Sequence, residues 1–175
     1  MDVDYGPLAG LIGTWSGAKG RDLSPEPNGE EESAFRENIV FEAVGCVSNA
    51  KQQTLAAVRY HQSVQRLSDG AGFHDELGYW LWDASTQQVI QSFAIPRGVC
   101  VLAAGSASEA DGTAIELRVQ ASAEDPEWSI IQSPFMAKNA KTLSFEHQIT
   151  LEAGQLSYSE TMVLDIYGRR FDHCD

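Results

Sequence analysis

Between Thr142 and Gly168 the chain alternates apolar and polar residues for longer than a short strand needs. Leu143, Phe145, His147, Ile149 and Leu151 interleave with Thr142, Ser144, Glu146, Gln148 and Thr150. After Ala153-Gly154, Leu156, Tyr158, Met162, Leu164 and Ile166 continue the pattern. A period of two sets one series on one face of a β-strand, and a glycine turn between two such runs makes a hairpin. Shorter runs repeat this upstream. Ile39, Phe41 and Ala43 share a face of a strand expected to end at Gly45, and Val58, Tyr60 and Val64 share a face opposite Arg59, His61 and Gln65. Turn signals at Ser68-Asp69-Gly70, Asp83-Ala84-Ser85 and Asp111-Gly112 punctuate the runs. No helical stripe stands out beyond a short N-terminal turn. The pattern predicts an all-β chain, a single antiparallel up-and-down β-barrel of about ten strands of the lipocalin type.

Pro7-Leu8-Ala9-Gly10-Leu11-Ile12 is an apolar turn, and Gly13-Thr14-Trp15-Ser16-Gly17 follows it directly. A Gly-x-Trp here lets the chain cross one mouth, the indole filling that end while the glycine lets the backbone pass close by. The opposite mouth is then free to admit a small apolar molecule. Asp22 to Ser33, with Pro25, Pro27, Gly29 and Glu30-Glu31-Glu32, reads as a polar, flexible insertion in one domain spanning 1-175.

The 25 acidic residues against 12 basic ones leave a net charge of -13. Such a surface repels phosphates and anionic lipids, so neither nucleic acid nor membrane is an expected partner. Met1-Asp2-Val3-Asp4 lacks the basic and apolar regions of a signal peptide, and no apolar run has the length of a transmembrane helix. Cys46, Cys100 and Cys174 match no zinc spacing. Cys46 and Cys100 read as small buried residues, and the odd count points to a reducing, cytoplasmic compartment. Neither a Gly-x-Ser-x-Gly elbow nor a phosphate-binding glycine loop is present.

Four segments carry a resemblance. They are Gly13-Thr14-Trp15-Ser16-Gly17; Phe35-Arg36-Glu37-Asn38-Ile39-Val40-Phe41 with Gly45; Gly72-Phe73-His74-Asp75-Glu76-Leu77-Gly78-Tyr79-Trp80; and the hairpin from Leu151 through Gly154, Tyr158 and Met162 to His173. In this order and spacing they resemble the nitrobindin family, heme-binding β-barrels shaped like fatty-acid-binding proteins. The resemblance implies heme b as cofactor, with His173 as the axial ligand of the iron and His74 over the other side of the pocket. It further implies that Phe73 and Met162 line the cavity; Trp80, on the same strand face as His74, joins them. Nitric oxide binding at ferric heme, or isomerisation of peroxynitrite to nitrate, is the activity that would follow. The chain departs from the family pattern at Lys19, which replaces a glycine, and at Ile95-Pro96-Arg97-Gly98, where a Thr-Gly turn is common. His173 also stands two residues from Asp175, and a ligand on a fraying terminus loses preorganisation.

The residues themselves leave alternatives open. Asp172 and Asp175 flank His173 and could orient its second ring nitrogen, as a metal-bound imidazole needs. His74 shares a strand face with Glu76, Gly78, Trp80 and Trp82, while His147 reads as a satisfied core histidine and His61 as a surface one. Arg169 and Arg170 could meet heme propionates. A carrier of fatty acid or another apolar molecule would use Arg97 or Arg169 for the head group. A small enzyme acting on an organic substrate would use Glu76 and His74 as acid and base. The expected partner in every case is a small apolar or heme-like ligand, with a homodimer compatible with the chain.

Overall fold

A computed structural model describes residues 3–110 and 114–175; the Asp111-Gly112 turn signal lies outside them. Ten antiparallel strands close on themselves. In chain order they are β1 (Gly13–Glu26), β2 (Gly29–Asn49), β3 (Gln53–Arg66), β4 (Gly72–Asp83), β5 (Gln88–Ile95), β6 (Val99–Ala110), β7 (Ala114–Ser122), β9 (Ala140–Glu152), β10 (Gln155–Ile166) and β11 (Arg169–Cys174). Each pairs with its neighbour, β7 pairs with β9, and β11 returns to β1. The short strand β8 (Ile130–Gln132) and helix α1 (Pro134–Asn139) form the connection between β7 and β9, with β8 laid along the start of β6. The expected barrel is present.

The final alternating runs pair as predicted, Phe145 opposite Met162, His147 opposite Glu160 and Ile149 opposite Tyr158. Inward positions pack one core in which Leu8, Val58, Trp80, Val89, Leu117 and Val119 are fully buried. At one end the 3-10 turn Gly6–Leu11 puts Leu8 and Leu11 into this core, and the Trp15 indole donates to the Leu11 carbonyl at 2.8 Å. The seam between β1 and β11 is narrow. Leu23 opposite Cys174 is its register pair.

Four readings are corrected. Asp22 to Ser33 is no loop: its residues are the paired ends of β1 and β2, from Asp22 opposite Ser33 to Glu26 opposite Gly29. The Pro, Gly and Glu content belongs to a tight turn and to outward positions, whereas Asp22 and Ser33 are both buried. β2 does not end at Gly45. It passes through a bulge there, with Gly45 at φ 110, and continues to Asn49. Cys46 and Cys100 are exposed, Cys100 because it alternates with the inward Val99 and Val101. Finally, α1 is a helix the periodicity does not show, since six residues are too few for a stripe; its signal is Ser133, whose hydroxyl caps Met136 N–H ahead of Pro134.

Two glycines explain motif positions physically. A Cβ at Gly78 would lie 2.2 Å from the Ser92 carbonyl oxygen and 2.9 Å from the Tyr60 ring, so only glycine lets Tyr60 lie across β4. A Cβ at Gly20 would lie 2.1 Å from the Phe35 ring. Lys19 falls in a register shift between Gly17 and Gly20, and Gly20 supplies the close approach one position later.

Candidate functional site

Two clusters of polar side chains converge inside the barrel. The first is at the seam. β11 is held by β10, with Met162 opposite His173, and backbone bonds of 3.0 and 3.1 Å join Asp175 to Glu160. His173 therefore sits in a ladder rather than on a fraying end. Its Nε2 lies 2.6 Å from Asp22 Oδ1 and 4.0 Å from Asp175 Oδ2. Asp22 is 4% exposed, so its bond to His173 also braces the narrow seam. Burial pushes the Asp22 carboxyl up, but the bond to His173 and its charge outweigh this and hold it below the ordinary range. Burial, with the charge of Asp22, pushes Asp175 up to about 6 against the opposing pull of His173. Asp22 is thus ionised toward the imidazole, while its neighbour Asp175 gives up its proton only about two pH units later than an ordinary aspartate.

His74 stands on the inward face of β4, opposite Val64, with Nε2 at 3.6 Å from Glu76 Oε2. Burial draws its pKa down, yet the contact and charge of Glu76 prevail and hold it above the ordinary histidine value. Phe73 lies in the adjoining bulge, edge-on to Phe35 at 6.2 Å and under the Arg66 guanidinium at 5.7 Å. Met162 is 7% exposed beside His173. His173, His74, Phe73 and Met162 all belong to this upper part of the barrel. Trp80 does not. It lies six residues along β4 from His74, about 20 Å for an extended strand, and is wholly buried. The arginines considered for an anionic head group are engaged: Arg169 donates to the Glu26 and Gly29 carbonyls, and Arg97 to the Phe73 carbonyl at 3.2 Å.

The second cluster is deeper and was largely missed by the sequence reading. Tyr60 O–H donates to Glu76 Oε1, Gln91 Nε2 donates to Tyr60 Oη at 2.8 Å, and Gln91 Oε1 stands 3.1 Å from His147 Nδ1. Because Gln91 Oε1 can only accept, His147 Nδ1 must donate. Burial lowers the His147 pKa to about 3, so the ring is neutral and its Nε2 carries a bare lone pair. Glu160 lies 3.8 Å from His147, and Glu37 accepts from Gln62 and Tyr158, each at 2.9 Å. Burial raises the Glu37 carboxyl despite those two bonds. Burial, then the charges of Glu76, Asp175 and Glu37, push Glu160 well up. His147 is a core histidine as read, but Nε2 has no partner. His61 is on the outer face, 2.8 Å from Asp75.

The donor chemistry at the seam fits an axially ligated heme. An imidazole is oriented through one nitrogen by a buried carboxylate, the usual second partner of a metal-bound histidine, and Met162 stands opposite it in the β10–β11 ladder. The ligand atoms of Asp22, His173 and Asp175 lie within 4.8 Å of one another, so among the described residues this is also the set that could hold a metal ion. A separate surface cleft of about 380 Å³ between Asp4, Gln52, Trp82 and Ser85 touches neither cluster.

No helix among the described residues is long and apolar enough to cross a membrane. No curated protein matches the chain. Among solved structures, the crystal structure of Rv2717c from M. tuberculosis superposes with a TM-score of 0.72 over 99% of this chain and 95% of that one, at 23% identity, a likeness of fold. The model of the THAP4-like, heme-binding beta-barrel domain matches residues 4–175. With barrel, end-capping turn and oriented His173 in place, the chain belongs to the THAP4-like heme-binding β-barrel domain family.

Proposed function

We propose that the protein binds heme b at the His173 end of the barrel. The observation that carries the reading is the Asp22–His173 pair: a 4% exposed carboxylate holds one ring nitrogen and leaves the other as a ligand. His173 would supply the axial nitrogen, and Asp22 would raise its basicity and fix the ring. Phe73 and Met162 would exclude water from the faces of the macrocycle. His74, whose pKa the contact and charge of Glu76 hold above the ordinary histidine value, is placed to donate a hydrogen bond to an anionic ligand on the opposite side. When bound, heme supplies a metal centre with an open position for nitric oxide or for rearrangement of peroxynitrite to nitrate. Trp80 belongs to the floor of the barrel and has no contact role at the rim.

Hemin titration of the heme-free protein tests this. A one-to-one Soret shift that His173→Ala abolishes, with the variant still folded by circular dichroism, is expected. A shift of equal affinity in the variant would overturn His173 as ligand.

A further inference from the structure

Three successive inward positions of β4 act as one unit. His74, Glu76 and Gly78 share a face of the strand and stand opposite Val64, Gln62 and Tyr60 of β3. Gly78 has no side chain where the Tyr60 ring passes, and Phe41 stacks on that ring with centroids 5.7 Å apart. The phenol, 2% exposed, is thereby held with its hydroxyl against Glu76 Oε1. The donors along this network run one way. An amide nitrogen can only donate, so Gln91 Nε2 occupies a Tyr60 lone pair at 2.8 Å, and the single Tyr60 hydrogen goes to Glu76. The same amide accepts from His147 Nδ1 through Oε1 at 3.1 Å. Glu76, wholly buried, ends the chain as an acceptor, with its second oxygen 3.6 Å from His74 Nε2.

We propose that Tyr60 is a positioning residue for His74, acting through Glu76, and that Gln91 sets the direction in which Tyr60 donates. A glutamate side chain turns about several torsions, and an ion-pair contact at 3.6 Å does not fix them by itself. The bond from a clamped phenol does. With Oε1 taken by Tyr60, Oε2 is left for the imidazole, which is then engaged through Nε2. Nδ1 becomes the nitrogen that remains for a molecule bound in the barrel. The glycine two positions beyond Glu76 thus matters to the histidine two positions before it, because a Cβ at Gly78 would lie 2.9 Å from the ring that holds the carboxylate. The inference rests on the heme reading for what His74 meets, whereas the arm from Tyr60 through Glu76 to His74 is a property of the protein alone.

Two measurements on the full chain test it with Tyr60→Phe, which keeps the ring and removes only the hydroxyl. The first uses heme-free protein with nitrogen-labelled histidine at one mildly acidic pH. The wild-type His74 Nε2 signal should sit at a protonated, hydrogen-bonded position and move in the variant toward the exchange-averaged position of a free imidazole, with outer-face His61 unmoved. In the heme-loaded protein, the carbon–oxygen stretch of the ferrous carbon monoxide complex reads donation by His74. Tyr60→Phe should raise that frequency by most of the shift that His74→Leu produces, and adding it to His74→Leu should raise it no further. Tyr158→Phe, which removes a hydroxyl bonded to Glu37 instead, should leave the stretch in place. Gln91→Met, which takes the donor from Tyr60, should move both signals the same way by less, and it decides the matter if Tyr60→Phe does not fold. The proposal is overturned if either the His74 signal or the stretch of Tyr60→Phe matches the wild type, if the effects of Tyr60→Phe and His74→Leu add, or if Tyr158→Phe shifts the stretch equally. Failure of the wild type to bind hemin would overturn the heme reading, and the heme-free nitrogen signals would then decide this one alone.

Discussion

Glu160→Gln should stabilise the free protein, and only at neutral pH. Glu160 is 7% exposed, and burial with the charges of Glu76, Asp175 and Glu37 lifts its carboxyl well above the ordinary range. A carboxyl whose folded pKa is raised imposes no penalty below the unfolded value, and the penalty grows as pH rises beyond it. With an unfolded pKa near 4.3 and 1.36 kcal/mol per unit, the linkage limit at pH 7.5 is about 4 kcal/mol. Glutamine keeps the shape and a hydrogen-bonding end but has no proton to hold. Part of the limit is forfeited because the glutamine must still find partners, so the expected gain is about 1–4 kcal/mol at pH 7.5 and near zero at pH 4. Urea denaturation followed by the fluorescence of the four tryptophans measures both. A gain of equal size at both pH values, or a destabilised variant at pH 7.5, would refute the claim that Glu160 is buried among like charges.

Three further outcomes follow from the same geometry. Asp22→Asn removes the charge that orients His173 and should lower hemin affinity about 10–100-fold with the Soret position retained, read by competition against apomyoglobin. Gly78→Ala forces a Cβ to 2.2 Å from the Ser92 carbonyl and against Tyr60, so it should cost at least about 1–3 kcal/mol in urea melts; a neutral result would mean that β4 and β5 separate freely. His147, neutral with a pKa of about 3, takes up its proton only on unfolding between pH 6.5 and 3. Stability should thus fall with pH across that window by up to about 1.36 kcal/mol per unit more in wild type than in His147→Gln, and parallel slopes would contradict it.

The barrel was legible because its evidence is local: alternation names a strand, a turn residue names a hairpin, and the family motifs fall in order. His74 was placed correctly by the same parity. The deep cluster was less legible, although parity held the information. Glu160 stands two residues from Tyr158 and from Met162, Gln91 two from Val89 and Phe93, and Gln62 two from Tyr60 and Val64. Each was passed over because a polar residue in an apolar series reads as an interruption until its partner across the barrel is known. Gln91 makes sense beside His147, 56 residues away. Bulges erased the remaining signal. The register shift at Gly17/Gly20 hides that Asp22 turns inward, and the one at Gly45 hides that β2 runs on to Asn49. A segment with three successive glutamates and two prolines resembles a loop by composition, yet it is a hairpin arm that delivers the carboxylate on which the proposed ligand depends.

The most direct test of the central claim is chemical rescue of the axial position. His173→Gly is loaded with hemin, and imidazole is then titrated in. The account predicts a five-coordinate, weakly bound heme in the variant whose electronic and resonance Raman spectra return to those of the wild type as imidazole fills the cavity. A variant whose spectra already match the wild type, and which imidazole does not change, would show that another residue holds the iron.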